Sequence, residues 1–278
     1  MKNWKISPKD SYVANYVECY WFLEKTVADN GPSFPKLNPD PAGHFIIACP
    51  QQRYRYEQNS SSITGYGSHL IFPHSKTILI DHSQPFLIIG IKFHVGALYS
   101  LNFSNTKTDL DQIIGTESGK ILKLEACIGS DLLAQVTDQP EKCSALLNER
   151  LMPWLLDSHE DKHSKLVRNA LQINSNVPIS EMGEALNCSQ RTLERSFSRV
   201  TGLTLKQYRS MNRLEAILNY VYKLDSSDIN WSDVAAKFGF SDHPHLIRHL
   251  KSSIGSTPGN YAKQRDLTID AYGSFEET

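Results

Sequence analysis

The sequence has no apolar run long enough to span a membrane, and its first eight residues, Met-Lys-Asn-Trp-Lys-Ile-Ser-Pro, lack the hydrophobic core of a signal peptide. We therefore expect a cytoplasmic protein without a membrane partner. Cysteine is also scarce, with five residues in 278 and no metal-ligand spacing among them. An odd number of scattered cysteines indicates reduced thiols rather than a disulfide framework.

Catalytic and cofactor motifs are absent as well. The sequence contains no Gly-x-Ser-x-Gly, no phosphate-cradling glycine loop and no paired carboxylate motif. Histidines 44, 69, 74, 82 and 94 are not arranged as the His-x-His pair followed by glutamate that a metal-binding cupin uses. His245 and His249, one helical turn apart, are the remaining zinc alternative. We expect no cofactor, no metal and no enzymatic activity.

The net charge of −1 is distributed unevenly along the chain. Residues 164–265 contain 14 lysines and arginines against 8 aspartates and glutamates, a net charge of +6. The 163 residues before them carry 15 against 18, and the last 13 residues carry four acids and no base. A basic segment beside acidic ones is typical of binding to phosphates. The charge pattern and a polar run before residue 164 predict a regulatory domain in residues 1–158, a DNA-binding domain in residues 159–265, and a loose acidic tail in residues 266–278.

A short pattern occurs twice in the basic segment. The first copy reads Met-Gly-Glu-Ala-Leu-Asn-Cys-Ser over residues 182–189, and the second reads Val-Ala-Ala-Lys-Phe-Gly-Phe-Ser over residues 234–241. Each is followed by a second apolar stripe and by Gly-x-Thr, at residues 202–204 and 255–257. Such self-similarity indicates a duplicated structural unit.

Each copy has the pattern of two helices joined by a tight turn. Asn187 and Gly239 occupy the position where a left-handed residue reverses the chain, and both residue types tolerate that conformation. Ser189 and Asp242 follow as predicted N-caps. Gly183, on the first helix, leaves room for the two helix backbones to cross closely. The sequence therefore predicts two helix-turn-helix units.

The second helix of each unit has an apolar stripe and an opposite basic face. An arginine six residues after each cap, Arg195 or Arg248, can offer paired donors to a guanine edge in the major groove. Glu194 could accept from a cytosine amino group, and Ile247 could meet a thymine methyl group. The predicted base contacts are Arg191, Glu194, Arg195, His243, Ile247 and Arg248. The predicted phosphate or sugar contacts are Gln190, Ser198, Arg199, His245 and Lys251.

A long helix predicted over residues 204–223 connects the two units. If the two reading helices enter successive major grooves on one face of the duplex, they should lie about 34 Å apart, roughly one turn of DNA. A rigid connector would oblige some duplexes to bend, so DNA deformability would contribute to the choice of site.

At these residues the chain resembles the AraC/XylS type of bacterial transcription regulator. The resemblance covers residues 165–264 and includes Gly-Leu-Thr at 202–204 and Gly-Ser-Thr-Pro at 255–258. It implies two helix-turn-helix units joined by a long helix, double-stranded DNA as partner, and activation through RNA polymerase. In the second unit Leu246 and Leu250 stand where the family often has phenylalanine. Pro244 is unusual in a reading helix. At the second helical position, however, proline lacks only a backbone N–H that would have no partner within the helix anyway.

The first 94 residues have the pattern of a small barrel or sandwich, with short β-branched and aromatic runs separated by Pro, Gly, Asn and Ser. Strands are predicted over residues 16–23, 44–48, 53–57, 63–66, 76–81 and 86–93. Helices are predicted over residues 97–101, 110–114, 122–136 and 141–156. The last helix carries an apolar stripe that would pack within the chain or, as an alternative, against a second copy in a homodimer.

Two segments of this part resemble a barrel-like sensor domain found in many bacterial regulators. They read Pro-Ala-Gly-His-Phe-Ile-Ile over residues 41–47 and Gly-Ile-Lys-Phe-His-Val-Gly over residues 90–96, with Val95 where the family commonly has proline. The resemblance implies a pocket for a small-molecule effector.

The fold class expected from these patterns is α+β: a β-rich, barrel-like domain with flanking helices, followed by an all-α domain of two helix-turn-helix units. The function expected is sequence-specific regulation of transcription. The alternative, a barrel-type enzyme or DNA-repair protein fused to a DNA-binding domain, depends only on the histidine cluster. RNA is a weaker partner, because helices built for a wide major groove cannot enter the deep, narrow groove of A-form RNA.

Overall fold

A computed structural model describes residues 1–58, 61–102, 110–115 and 139–271. The chain is α+β, as predicted. Strands dominate the described residues up to 115, which also include a 3-10 turn, Val13–Asn15, and a short helix, α1 (Ala97–Ser100). Helices dominate from residue 140 onward. The helix predicted over residues 122–136 lies outside the described residues.

Two antiparallel sheets form the β-rich part. The larger sheet has the order β1-β2-β9-β4-β7-β10, and its strands are β1 (Lys2–Ile6), β2 (Val17–Lys25), β4 (His44–Ala48), β7 (His69–Ile71), β9 (Phe86–Phe93) and β10 (Ile113–Gly115). The smaller sheet has the order β3-β8-β5-β6, and its strands are β3 (Lys36–Leu37), β5 (Arg53–Gln58), β6 (Ser61–Tyr66) and β8 (Ile78–Ile80).

The larger sheet has two apolar faces, because successive side chains on a strand point to opposite sides. On β2, Tyr20 and Phe22 are fully buried in a core with helix α2 (Pro140–Leu156). Trp21, between them, points to the opposite face and packs in a second cluster with the smaller sheet. The second face, which looks toward the smaller sheet, also borders the cavity described below.

Helix α2 uses its apolar stripe inside this chain. Cys143, Leu147, Leu151 and Leu155 are each 0% exposed in the same core as the larger sheet. Tyr20 Oη donates to Asn148 Oδ1 at 2.7 Å and adds a polar contact across the same packing face. The stripe is therefore taken up by intrachain packing, so a homodimer would need another surface.

Two expectations about the chain were wrong. Residues 110–114 are not helical, because β10 pairs antiparallel with β7 and places Ile113 opposite Ile71. The tail is not loose at its start: helix α10 (Thr268–Ala271) follows Leu267, which is 1% exposed. Lys36 forms an ion pair with Asp266, and the backbone of Lys36 forms a parallel bridge with Leu267. Strands β1, β3 and β7 were not predicted.

The helical part contains eight further helices among the described residues. They are α3 (Lys162–Ile173), α4 (Met182–Ala185), α5 (Gln190–Thr201), α6 (Leu205–Tyr222), α7 (Trp231–Lys237), α8 (His243–Ile254), α9 (Pro258–Gln264) and α10. A 3-10 turn, Ile179–Glu181, precedes α4. None of the described helices has the length and apolar character that a membrane crossing requires.

Acid is expected to destabilise the β-rich part through two buried histidines. Burial lowers the pKa of His69 to about 4, and burial and Lys25 lower the pKa of His82 to about 3. The unfolded chain binds these protons near pH 6.5, so the free energy of unfolding should decrease as the pH falls below that value. For each histidine, we expect the free energy of unfolding to decrease by roughly 1.4 kcal/mol per unit of falling pH. The decrease should end near the pKa that the histidine has in the folded protein.

Urea unfolding at several pH values between 7.5 and 4.5 measures this slope. His69→Gln should reduce it by the contribution of one histidine, because glutamine does not titrate. An unfolding free energy that does not change between pH 6.5 and pH 5 would contradict the expectation.

Candidate nucleic-acid interface

The two helix-turn-helix units have the same backbone geometry at their turns. The N–H of Cys188 donates to the carbonyl of Gly183 at 2.9 Å, and the N–H of Phe240 donates to the carbonyl of Ala235 at 2.9 Å. Asn187 has φ of +53° and Gly239 has φ of +72°, so both adopt the left-handed conformation that was predicted. The duplication in the sequence is therefore a duplication of structure.

Both reading helices begin at the predicted caps. Ser189 accepts from the N–H of Thr192 at the start of α5, and Asp242 accepts from the N–H of His245 at the start of α8. Leu193 and Leu246, the first buried leucines of the two helices, are each 0% exposed. Each helix is thus fixed by its apolar stripe, which turns the opposite face outward.

Helix α6 connects the units and packs into both. Its cap, Thr204, forms a capping box with Gln207. Tyr208 and Met211 pack with the first unit, whereas Leu214 and Val221 pack with the second. Because one helix contributes to both cores, it restricts the placement of one reading helix relative to the other.

Most of the residues predicted to contact DNA have exposed side chains. On α5 these are Arg191, Glu194, Arg195, Ser198 and Arg199, and on α8 they are His245, Arg248 and Lys251. Gln190, His243 and Ile247 are half-buried. The two units therefore present a set of polar and basic side chains on their outward faces.

Among the predicted contacts, Gln190, Glu194 and Arg199 form side-chain hydrogen bonds inside the protein. Gln190 accepts from the N–H of Gly183 at 3.2 Å and donates to Glu194 at 3.1 Å. Gln190 therefore joins the two helices of the first unit and orients the Glu194 carboxylate. Arg199 Nε donates to Tyr99 Oη at 3.0 Å, a contact between residues 100 positions apart that sequence reasoning missed.

Two histidines of the second unit, His245 and His249, pack beside the Phe240 ring. The rings of His245 and His249 lie 5.0 Å and 5.2 Å from that of Phe240, and Arg213 lies over the same ring at 5.1 Å. Burial, followed by Arg213 and His245, lowers the pKa of His249. Among the described residues no group of three or more His, Cys, Asp or Glu side chains is arranged to hold a metal ion.

The β-rich part contacts the first reading helix through Tyr99. Its hydroxyl accepts from Arg199 and donates to Asp161 Oδ2 at 2.8 Å. Asp161 is also the N-cap of α3, where it accepts from the N–H groups of His163 and Ser164. Val95 packs at the edge of the first unit's core. Tyr99 therefore links α1, α3 and α5.

Tyr99→Phe is expected to raise the affinity for DNA of any sequence by up to about 10-fold. The reason is that a hydrogen bond contributing about 0.5 to 1.5 kcal/mol no longer holds Arg199 away from the duplex backbone. Fluorescence anisotropy with random and selected duplexes measures the change. Tyr16→Phe, which removes the contact between Tyr16 and Ser158, is the matched control. Equal affinities of both variants and the unmodified protein would show that this contact does not restrain Arg199.

A cavity of about 210 Å³ lies between the sheets and the helical part. Its apolar walls come from both sheets and include Trp21, Ile46, Ile71, Ile80 and Ile88.

The helical part forms the rest of the cavity wall. Helix α6 contributes Glu215 and Asn219, and α10 contributes Thr268 and Ile269. The Oδ1 atom of Asn219 is buried and has no hydrogen-bond partner among the described residues. The helix that connects the two reading units thus forms part of the cavity wall.

A charged network lines one side of this cavity. Lys92 Nζ lies 3.5 Å from Asp40 Oδ2 and 3.2 Å from Glu18 Oε1, and His44 Nε2 lies 3.0 Å from Asp40 Oδ2. Burial opposes the charge on Asp40, but Lys92 and His44 outweigh it and hold the Asp40 pKa below its usual value. Burial likewise opposes the charge on Lys92, but Asp40 and Glu18 raise its pKa. The network places fixed charges beside apolar walls, as in many small-molecule sites.

The comparisons with known proteins agree with this geometry. A profile of the helix-turn-helix domain family matches residues 182–264, which contain both units. The transcriptional activator NphR of Rhodococcus is 28% identical over 124 residues, 44% of this chain and 36% of that protein. RipA of Corynebacterium diphtheriae, an HTH-type transcriptional regulator, is 25% identical over 46% of this chain and 37% of that protein. Both matches thus span little more than a third of the relative.

A longer match extends into the β-rich part. The HTH-type transcriptional activator RhaR of Escherichia coli is 22% identical over 234 residues, 84% of this chain and 73% of that protein. Among solved structures, ToxT from Vibrio cholerae is 12% identical, with a TM-score of 0.49 over 89% of this chain and 99% of that chain.

The fold and the duplicated units define a helix-turn-helix protein with two reading helices. Residues 182–264 match the helix-turn-helix domain family, and the named relatives of the chain are regulators of transcription.

Proposed function

We propose that this protein is a sequence-specific DNA-binding regulator of transcription. The observation that carries the proposal is the pair of matched units, each with a capped reading helix and an exposed arginine six residues after the cap. Arg195 and Arg248 are the proposed guanine contacts. Lys251, Ser198 and Arg199 are proposed to contact phosphates, which hold the protein in register on the duplex.

The proposed direction of control is activation, because NphR and RhaR are named as transcriptional activators. Activation requires a contact with RNA polymerase, which we include in the proposal. The enzymatic alternative gains no support from the comparisons, since the named relatives are regulators.

The proposed division of labour places regulation in residues 1–158 and DNA reading in residues 159–265. The N-cap of α3 at Asp161 supports a boundary just before it. The acidic tail is proposed to span residues 266–278. Its first residue, Asp266, connects it to the β-rich part through the ion pair with Lys36.

Ligand control is proposed to act through the cavity beside α6. A small molecule in it would touch the sheets and, through Asn219, the helix that connects the two reading units. Its binding can change the activity of the protein only if it favours one arrangement of these parts over another. Apolar walls beside one charged network suit a molecule with an apolar body and one polar end. A screen of small molecules by melting temperature, repeated with Asn219→Leu, would test this site.

Selection of bound duplexes from a random DNA pool, at two salt concentrations, tests the proposed function. We expect a site with two short preferred elements about one helical turn apart. The matched control is the double variant Arg195→Ala, Arg248→Ala, which should keep its fold and select no such site. Failure of the unmodified protein to enrich any sequence, with and without cell-extract small molecules, would contradict the proposal.

A further inference from the structure

A basic cleft lies between the smaller sheet and the carboxyl end of the second reading helix. It has a volume of about 750 Å³ and is lined by all four strands of the smaller sheet, the loop before β8 and the end of α8. Its charged side chains are Lys36, Arg55, Lys76 and Lys251, with Glu57 as the acidic member. The cleft joins the β-rich part to the helix that carries the proposed base contacts Ile247 and Arg248.

Two of the four cations in the basic cleft are neutralised within the protein. Arg55 pairs with Glu57 at 2.5 Å, and Lys36 pairs with Asp266. Lys76 and Lys251 are exposed, and neither has an ion-pair partner within the part of the chain that the structure describes. The cleft therefore retains two uncompensated positive charges, one from each side.

The position of Lys76 is fixed relative to the reading helix. Its neighbour Thr77 donates from Oγ1 to the carbonyl of Ser253 at 3.0 Å, near the end of α8. On α8, Lys251 follows Arg248 by three residues and so shares its outward face. A duplex backbone that passes Arg248 and then Lys251 would next meet the side of the cleft that carries Lys76.

We propose that the basic cleft is a second contact surface for duplex DNA, where Lys76 and Lys251 bind the phosphate backbone beyond the element read by α8. This inference rests on the proposed function. The carbonyl end of a helix repels anions weakly, so the two lysines rather than the helix end must supply the attraction. The protein's footprint would then extend past the second element, on the side of the β-rich part.

Binding of duplexes of two lengths by the full-length protein tests the proposal. One duplex ends at the second preferred element, and the other continues beyond it for about one helical turn. The unmodified protein should bind the longer duplex more tightly. The Lys76→Gln variant should bind the longer duplex roughly 3- to 10-fold more weakly than the unmodified protein does, and its affinity for the shorter duplex should change little. The reason is that the substitution removes a phosphate contact that only the longer duplex can make.

The salt dependence provides a second readout. The slope of log affinity against log salt should become shallower by about 0.9 for Lys76→Gln on the longer duplex, the amount expected for one lost phosphate contact. Lys142→Gln, an exposed lysine on α2, is the matched control and should keep the full slope. The melting temperature of both variants should equal that of the unmodified protein.

The outcomes separate this proposal from the proposed function. If Lys76→Gln binds both duplexes like the unmodified protein while Arg248→Ala loses site preference, the basic cleft is not a DNA surface, and an acidic protein partner becomes the alternative. If Arg248→Ala and Lys251→Gln also bind like the unmodified protein, the proposed function fails, and the cleft proposal fails with it.

Discussion

Arg248→Ala is expected to weaken binding to the preferred duplex by about 1 to 3 kcal/mol, roughly 5- to 150-fold in affinity. Arg248 is exposed on α8, where the cap at Asp242 and the buried Leu246 fix the helix below it. A guanidinium group can donate two hydrogen bonds to one guanine edge, and alanine offers none. The variant should lose its sequence preference at the one base pair that Arg248 contacts. Substitutions at that base pair should therefore no longer change its affinity.

Lys251→Ala separates a base contact from a general electrostatic effect. Removing a phosphate contact should weaken binding to preferred and random duplexes alike. It should also make the slope of log affinity against log salt concentration shallower by about one. Titrations of both variants with both duplexes distinguish the two patterns. If Arg248→Ala reduced affinity equally for preferred and random duplexes, Arg248 would be a backbone contact and the proposed role in reading would be wrong.

Gly183→Val is expected to unfold or distort the first helix-turn-helix unit, at a cost of about 1 to 3 kcal/mol or more. A Cβ atom at Gly183 would lie 2.8 Å from Gln190 N and 3.0 Å from Cys188 O. Both are backbone atoms of the turn and the start of α5, so they cannot move aside as a flexible side chain can. The second unit has Ala235 at the equivalent place, with a turn one residue longer. Urea unfolding should show a lower midpoint, and selection of the first DNA element should be lost.

Gly259→Ala is the matched control for this substitution. Gly259 lies on α9, and a Cβ atom there would have nothing within 4 Å. Alanine favours a helix over glycine by up to about 1 kcal/mol, so this variant should be as stable as the unmodified protein or more stable. An unchanged urea midpoint for Gly183→Val would mean that the turn has room for a side chain and that the close crossing of helices is not required.

The helical units were predictable because their signals are local. A left-handed residue, an N-cap and an apolar stripe lie within about 15 residues of one another in each copy, and the structure has Asn187, Gly239, Ser189 and Asp242 in those roles. The repetition of the pattern removed the ambiguity of a single copy. The proposed base contacts themselves stay predictions, because exposure on an outward face does not identify the atom that is contacted.

The β-rich part was predictable in class but not in its pairings. Strand pairing joins segments far apart in sequence: Ile113 lies opposite Ile71, and Lys36 bridges to Leu267. The acidic composition of the last 13 residues predicted a loose tail, although Leu267 is buried and the chain is helical over Thr268–Ala271. The cavity and the contact between Tyr99 and Arg199 depend on such long-range placement and had no local signal.

The measurement that tests the account most directly is the affinity of the full-length protein for duplexes that differ only in the spacing of the two selected elements. Because α6 packs into both units, the reading helices should require elements on one face of the duplex. Moving one element by about five base pairs, half of a helical turn, should reduce the affinity to that of a duplex with one element. Equal affinity at both spacings would contradict the claim that the two units read DNA as one rigid pair.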